Sequence, residues 1–287
     1  MTITPVTPEL DYFPIRILSE LTGVNSVTLR AWERRYGLLK PFRTEKGHRL
    51  YCREDIGRVN KILYWVNQGV SVGKVKVLLD SNQEPSKMVI NDAQWPDWQA
   101  MFIHAVTTLD QAKWEQLFQD ASKQYPIPVL LQKGLLPALV TLGNQPDAVV
   151  SRLCLQSSLT ELILSIKSSY RHTRFAQDQS LIFSADHSSL MARLLAWTLS
   201  EAEHSFKVLE GARTAQDVIQ VAQHFAPQQV ILVAESITQG EAERWLNVFE
   251  QSGLPLVVIG SGFWLAGKSM TLGKHIELYS DLMDYFS

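Results

Sequence analysis

From Ser180 onward the apolar residues change their period, and that change limits the fold more than any other feature of the chain. Four short apolar runs are followed by amphipathic or glycine-containing segments. Leu181-Ile182-Phe183 precedes 188–203, and Phe206-Lys207-Val208-Leu209 precedes 215–225. Val230-Ile231-Leu232-Val233 precedes 241–250, and Leu256-Val257-Val258-Ile259 precedes a stretch ending in His275-Ile276-Glu277-Leu278. Repeated strand–helix units bury both faces of a mostly parallel sheet. Residues 177–287 are therefore expected to form an α/β domain, Rossmann- or flavodoxin-like. Residues 97–176 carry a helical period instead, with helices expected near 97–107, 109–122, 126–142 and 147–170. Pro126, Pro128, Gly143 and Pro146 punctuate them, as in a small helical bundle. Residues 81–96 are polar and proline-containing and read as a linker. At roughly 100–200 residues per domain, a chain of 287 residues has room for a further domain over 1–80.

That first segment is patterned for mainly α structure. Ile15, Leu18 and Leu21 mark one helix face, and Thr22-Gly23 interrupts it. Gly23 suits the positive φ that ends a helix. Asn25 is a good N-cap for a second helix that Gly37 stops at about Tyr36. Helix, tight glycine turn and capped helix make a helix-turn-helix. Residues 38–51 are too polar for a buried strand and read as a short hairpin wing. A further helix starts near Cys52-Arg53-Glu54-Asp55, with Asp55 supporting its N-terminus. It continues through Ile56, Val59, Ile62, Leu63 and Val66 to Gly69, and a short helix over 72–79 follows.

Charge separates this head from the rest. Between Pro14 and Lys76 stand 13 lysines and arginines against five carboxylates, a net of +8, while the remainder carries 14 basic and 24 acidic residues, a net of −10. A basic head on an acidic body implies an anionic partner for the head. On the second helix Leu29 and Trp32 are expected to dock inward, while Thr28, Arg30, Arg34 and Arg35 reach a major groove. The wing offers Lys40, Arg43, Lys46, His48 and Arg49 to phosphates. Tyr36 and Tyr51 are either phosphate donors through their hydroxyls or half-buried packing residues. Only two cysteines are present, Cys52 and Cys154, too few for a disulfide framework or a conventional zinc site. A reducing cytoplasm is the expected setting. Met1 to Phe13 has neither the basic residues nor the apolar stretch of a signal or transit peptide, and no apolar run reaches membrane-spanning length, so no membrane partner is expected.

The string from Val24 to Pro41, VNSVTLRAWERRYGLLKP, followed by Arg43 and by Gly47 to Tyr51, GHRLY, resembles the signature of the MerR family. The resemblance covers about the first 80 residues. It implies a winged helix-turn-helix that binds promoter DNA as a homodimer, with Thr28, Arg30, Tyr36, Arg43, His48, Arg49 and Tyr51 where the family meets DNA. Cys52 departs from the pattern, since serine is common there in the family. Many members bind promoters whose two boxes are too far apart and distort the DNA to realign them. RNA polymerase is then affected indirectly, through deformation energy; simple occlusion is also compatible.

The order winged helix, bundle, α/β domain resembles the branch of that family with a cobalamin-binding-type C-terminal half. That branch includes MlrA-like regulators and light-responsive cobalamin repressors. Its motif, Asp/Glu-x-His-x-x-Gly after the first strand, is degenerate here. The chain has Asp186-His187-Ser188-Ser189-Leu190, with the acid adjacent to the histidine and leucine in the glycine position. The bundle positions that face the upper ligand in light-responsive members hold Pro146, Gln156 and Ser157. Ser236 and the Gly260-Ser261-Gly262 loop keep part of the pattern. Asp186, His187, Ser236, Gly260 and Gly262 are thus expected to meet at the strand ends as a vestigial pocket, with no cofactor and no metal. No nucleophile–base set or paired carboxylates are apparent, and no enzyme is expected. The leading expectation is a DNA-binding regulator whose C-terminal half senses a signal or docks a regulatory protein. The alternative is a cobalamin-dependent, light-responsive repressor.

Overall fold

The computed structural model describes residues 12–80, 94–167, 180–185, 190–201 and 206–286. The chain divides into two compact units, Met1–Ala105 with Ala112–Ala138, and Val106–Gln111 with Leu139–Ser287.

The first unit opens with strand β1 (Phe13–Pro14) and helices α1 (Ile15–Thr22) and α2 (Ser26–Tyr36). The turn between the helices is built by local chemistry. Gly23 sits at φ 68° and donates its N–H to Ser19 O at 2.8 Å. The Asn25 side chain accepts the N–H groups of Val27 and Thr28, each at 2.8 Å, which satisfies two of the donors a helix start leaves orphaned. Gly37, at φ 60°, closes α2. The wing follows as β2 (Phe42–Arg43) and β3 (Arg49–Tyr51), then α3 (Arg53–Asn67) and α4 (Val72–Asp80). Cys52 caps α3 through its backbone: its N–H reaches the Asp55 carboxylate at 2.9 Å. The small sheet is antiparallel, in the order β1-β3-β2. Leu18, Leu29, Trp32, Leu38, Val59, Ile62 and Val75 are fully buried and form the head's core.

Helix α5 (Gln94–Thr107) begins earlier than the expected linker end at residue 96. Pro96 lies in its first turn, where a missing N–H costs nothing. Trp95 and Trp98 are both buried, packing against Gly134, where an added Cβ would lie 2.9 Å from the Trp95 ring. Gly134 belongs to a π-helical stretch, Leu130–Leu135, that follows α6 (Gln111–Gln124) and α7 (Ile127–Val129). The helices expected as one bundle are thus divided between the two units. Helix α8 (Leu136–Gly143) contains the division, and α9 (Val149–Lys167) packs on α10 (Leu190–Glu201) in the second unit.

The second unit carries β4 (Ser180–Ser184), β5 (Phe206–Leu209), β6 (Gln229–Val233), β7 (Leu256–Ile259) and β8 (Ile276–Tyr279), with α11 (Ala215–Phe225), α12 (Gln239–Ser252), α13 (Ser261–Lys268) and α14 (Leu282–Tyr285). All strand pairs are parallel, in the order β5-β4-β6-β7-β8, which is the flavodoxin-like order. Leu181, Phe183, Val230, Leu232, Leu256 and Val258 pack with residues of α11, α12 and α13. Ile182, Ile231 and Val257 alternate to the opposite face and are buried as well. Thr214 and Asp217 form a reciprocal cap on α11. Among the described residues no single helix is long and apolar enough to cross a membrane.

Gly260 fixes the junction of β7 with α13. Its φ is 156°, and an added Cβ would lie 2.1 Å from Ala234 O, a main-chain atom that cannot swing aside. Gly260→Ala is expected to destabilise the second unit by about 3 kcal/mol or more. A thermal-unfolding scan followed by circular dichroism should show a lower midpoint even with no ligand present.

Candidate nucleic-acid interface and the sheet-edge cleft

The exposed side of α2 is basic because its inner side is not. Leu29 and Trp32 occupy the core, while Val27, Arg30 and Arg34 are exposed and share one face of the helix. Arg35 is exposed too but lies about 100° round the helix from Arg34. The wing rises beside Arg30. Its tip is a tight turn in which Thr44 N–H reaches His48 O at 3.0 Å and Gly47 adopts φ 80°. Arg30, His48 and Arg49 line one open groove of about 390 Å³ with Pro14, Ile15, Gly47 and Leu50. Arg43, Lys46 and His48 are exposed along the hairpin, and Arg49 is half-buried. Residues from two separate segments thus present cationic groups to one space, an arrangement suited to a phosphate backbone and to base edges.

Three expected contacts fall elsewhere. Thr28 and Tyr51 are completely buried, so neither hydroxyl meets a phosphate in this conformation. Burial pushes the Tyr51 phenol up to about 12, with the Glu33 carboxylate adding to the shift, so it stays protonated. Tyr36 is half-buried near Gly73, and its hydroxyl donates to Gln124 Oε1 at the end of α6. Burial raises its pKa as well. The Trp32 indole N–H donates to the main-chain oxygen of the same Gln124 at 2.9 Å. The inner side of α2 is therefore fastened to α6, and Tyr36 serves that joint.

Glu33 contributes to the sequence pattern only as one negative charge in a basic segment, and its role emerges from its contacts. Its Oε1 accepts from Arg43 Nη2 at 2.6 Å and its Oε2 from Arg49 Nε. The hydrogen bond from Arg49 raises that guanidinium's pKa further. A lone carboxylate among the arginines of a basic helix is the signal that points to it.

In open parallel sheets, ligands bind beyond the carboxyl ends of the strands, where the strand order reverses. Here that point lies between β4 and β6. Among the described residues the cleft there has a volume of about 200 Å³, lined by Leu139, Leu142, Arg152, Leu155, Gln156, Leu190, Met191 and Glu235. Gln156 lies on this cleft, whereas Ser157 and Pro146 are exposed and do not line it. Asp186 and His187 lie outside the described residues. Ser236 is exposed, next to Glu235. Gly260 and Gly262 approach the loop after β6 closely: an added Cβ would lie 2.1 Å from Ala234 O or 2.3 Å from Ile237 O. The space that these glycines leave is filled by the chain's own backbone. Among the described residues no cluster of three or more His, Cys, Asp or Glu side chains is placed to hold a metal ion.

Residues 13–82 match the family described as MerR HTH family regulatory protein. The HTH-type transcriptional regulator MlrA of Salmonella typhimurium is 30% identical over 191 residues, 66% of this chain and 76% of that protein. The HTH-type transcriptional repressor CarH of Myxococcus xanthus is 27% identical over 141 residues, 46% of this chain and 47% of that protein. The solved structure of the Methanosarcina barkeri monomethylamine corrinoid protein has 12% identity and a TM-score of 0.49, covering 66% of this chain and 94% of that one. With a winged helix-turn-helix whose residues match the family's own, and a relative similar over three quarters of its length, this chain belongs to the MerR family of transcriptional regulators, in its MlrA-like branch.

Proposed function

We propose that the protein is a sequence-specific regulator that binds promoter DNA as a homodimer through the groove between α2 and the wing. The observation that carries this reading is the convergence of Arg30 from α2 with His48 and Arg49 from the wing on one exposed groove of a head with a net charge of +8. Arg30 and Arg34 are the candidates for base edges, and Arg43, Lys46, His48 and Arg49 for phosphates and register. The setting is the cytoplasm, where promoter DNA is found, and RNA polymerase is influenced only through the DNA. The C-terminal half acts as a sensor or as a dock for a regulatory protein, without catalysis and without cobalamin. The altered Asp186-His187 spacing, Leu190 in the glycine position, and Pro146, Gln156 and Ser157 at the upper-ligand positions support the cofactor-free reading.

The DNA surface is tested with a duplex enriched from a random library by the wild-type protein. Arg30→Ala and Arg49→Ala should each weaken binding to that duplex by about 10-fold or more, while circular dichroism and gel filtration stay unchanged. Raising the salt concentration should weaken the wild type steeply, since each phosphate contact contributes about 0.9 to the slope of log K against log salt. Wild-type binding by a variant carrying both Arg30→Ala and Arg49→Ala would show that the DNA surface lies elsewhere.

The cofactor-free reading is tested by mixing the protein with hydroxocobalamin and adenosylcobalamin, in darkness and in light. After gel filtration the protein peak should carry no visible absorbance, and its affinity for the selected duplex should not change. A coloured peak whose DNA binding responds to light would instead establish the cobalamin-dependent repressor.

A further inference from the structure

Arg43 and Arg49 stand directly opposite each other in the antiparallel pair β2–β3. Like charges at facing positions of a hairpin repel and destabilise it. Between them stands the carboxylate of Glu33, which comes from the recognition helix and not from the hairpin. One oxygen takes Arg43 Nη2 at 2.6 Å and the other takes Arg49 Nε. The Glu33 side chain is only 11% exposed, against 50% for Arg43 and 22% for Arg49. The acid is therefore enclosed beneath the cations rather than presented to a ligand. A guanidinium has five N–H donors. Each arginine spends one on Glu33 and keeps the others for an anion.

We propose that Glu33 is a positioning residue for DNA recognition: by bridging the facing Arg43 and Arg49 it locks the wing to the recognition helix in the register at which both read one duplex. The inference rests on the DNA-binding reading above. It makes a prediction opposite in sign to simple electrostatics. Removing a negative charge from a DNA-facing surface should tighten binding to any duplex. Removing a positioning bridge should weaken binding to the right sequence and spare binding to the wrong one.

The test uses the full chain, with the duplex enriched by the wild type and a scrambled duplex of equal length. Glu33→Gln keeps the size of the side chain and removes the charge. It should bind the selected duplex about 10-fold more weakly, a loss comparable to that of one good base contact, and bind the scrambled duplex as well as or better than the wild type. Glu33→Asp keeps the charge but is one methylene too short to serve both arginines, and it should lose specific binding too. Its loss with normal folding separates geometry from charge, and it keeps the test available if Glu33→Gln folds poorly. Selected-duplex binding at or above the wild-type level by either folded variant overturns the proposal. If Arg30→Ala and Arg49→Ala lose binding while the Glu33 variants do not, the DNA surface stands and only the bridge fails. If the wild type enriches no duplex, both readings fall.

Discussion

A tryptophan at the centre of a small helical head has one N–H to satisfy, and in this protein the partner lies outside the head. Trp32 is fully buried between the helices of the head, and its indole donates to the main-chain oxygen of Gln124 on α6. A buried donor left without a partner costs about 1–3 kcal/mol. The core of the DNA-binding module is thus incomplete until the end of α6 is in place. The Tyr36 hydroxyl reaches the side chain of the same residue. Both ties come from α2, the helix whose opposite face carries Arg30 and Arg34. The helix with the basic face and the helix tied to α6 are one, so its two faces are not independent energetically.

The same helix organises the wing. A two-stranded ribbon this short is marginal alone. Here it is supported on one side by β1 and on the other by Glu33, whose carboxylate holds two arginines that would otherwise repel. An acid in a basic surface is usually counted as a loss of affinity. In this head it sets the spacing of the cations, and spacing decides which sequence is read once charge has brought the duplex close.

What was legible in the sequence was local. Gly23, Asn25 and Gly37 act on groups within a few residues of themselves, and each does what its chemistry implies. The strands β4, β6 and β7 were legible because central parallel strands bury both faces and read as continuous apolar runs, while β5, an edge strand with Lys207 exposed, was legible only by its place before a helical segment. Their order was not, since pairing between β4 and β6 depends on crossovers and not on composition. Strand β1 escaped because two residues, one of them Pro14, carry no period, and its partner Tyr51 lies far along the chain. The start of α5 is hidden in the sequence, because Trp95-Pro96 resembles a linker until Gly134 is known to receive the indoles. In the site, the exposed Arg30, Arg43 and His48 and the half-buried Arg49 were legible as a basic pattern. The burial of Thr28 and Tyr51 was not, because a motif records which residues recur and not which way they face. Glu33 and Gln124 owe their roles to partners brought near only by folding.

The close approach of Gly260 and Gly262 to the loop after β6 limits which substitutions that junction tolerates. An added Cβ would lie 2.1 Å from the carbonyl oxygen of Ala234 or 2.3 Å from that of Ile237. A clash with a side chain is relieved by a new rotamer or a smaller neighbour. A clash with main chain is not, because shrinking a residue leaves the peptide where it was. A side chain at 260 or 262 would have to move the loop itself, so these two glycines and the course of that loop can change only together.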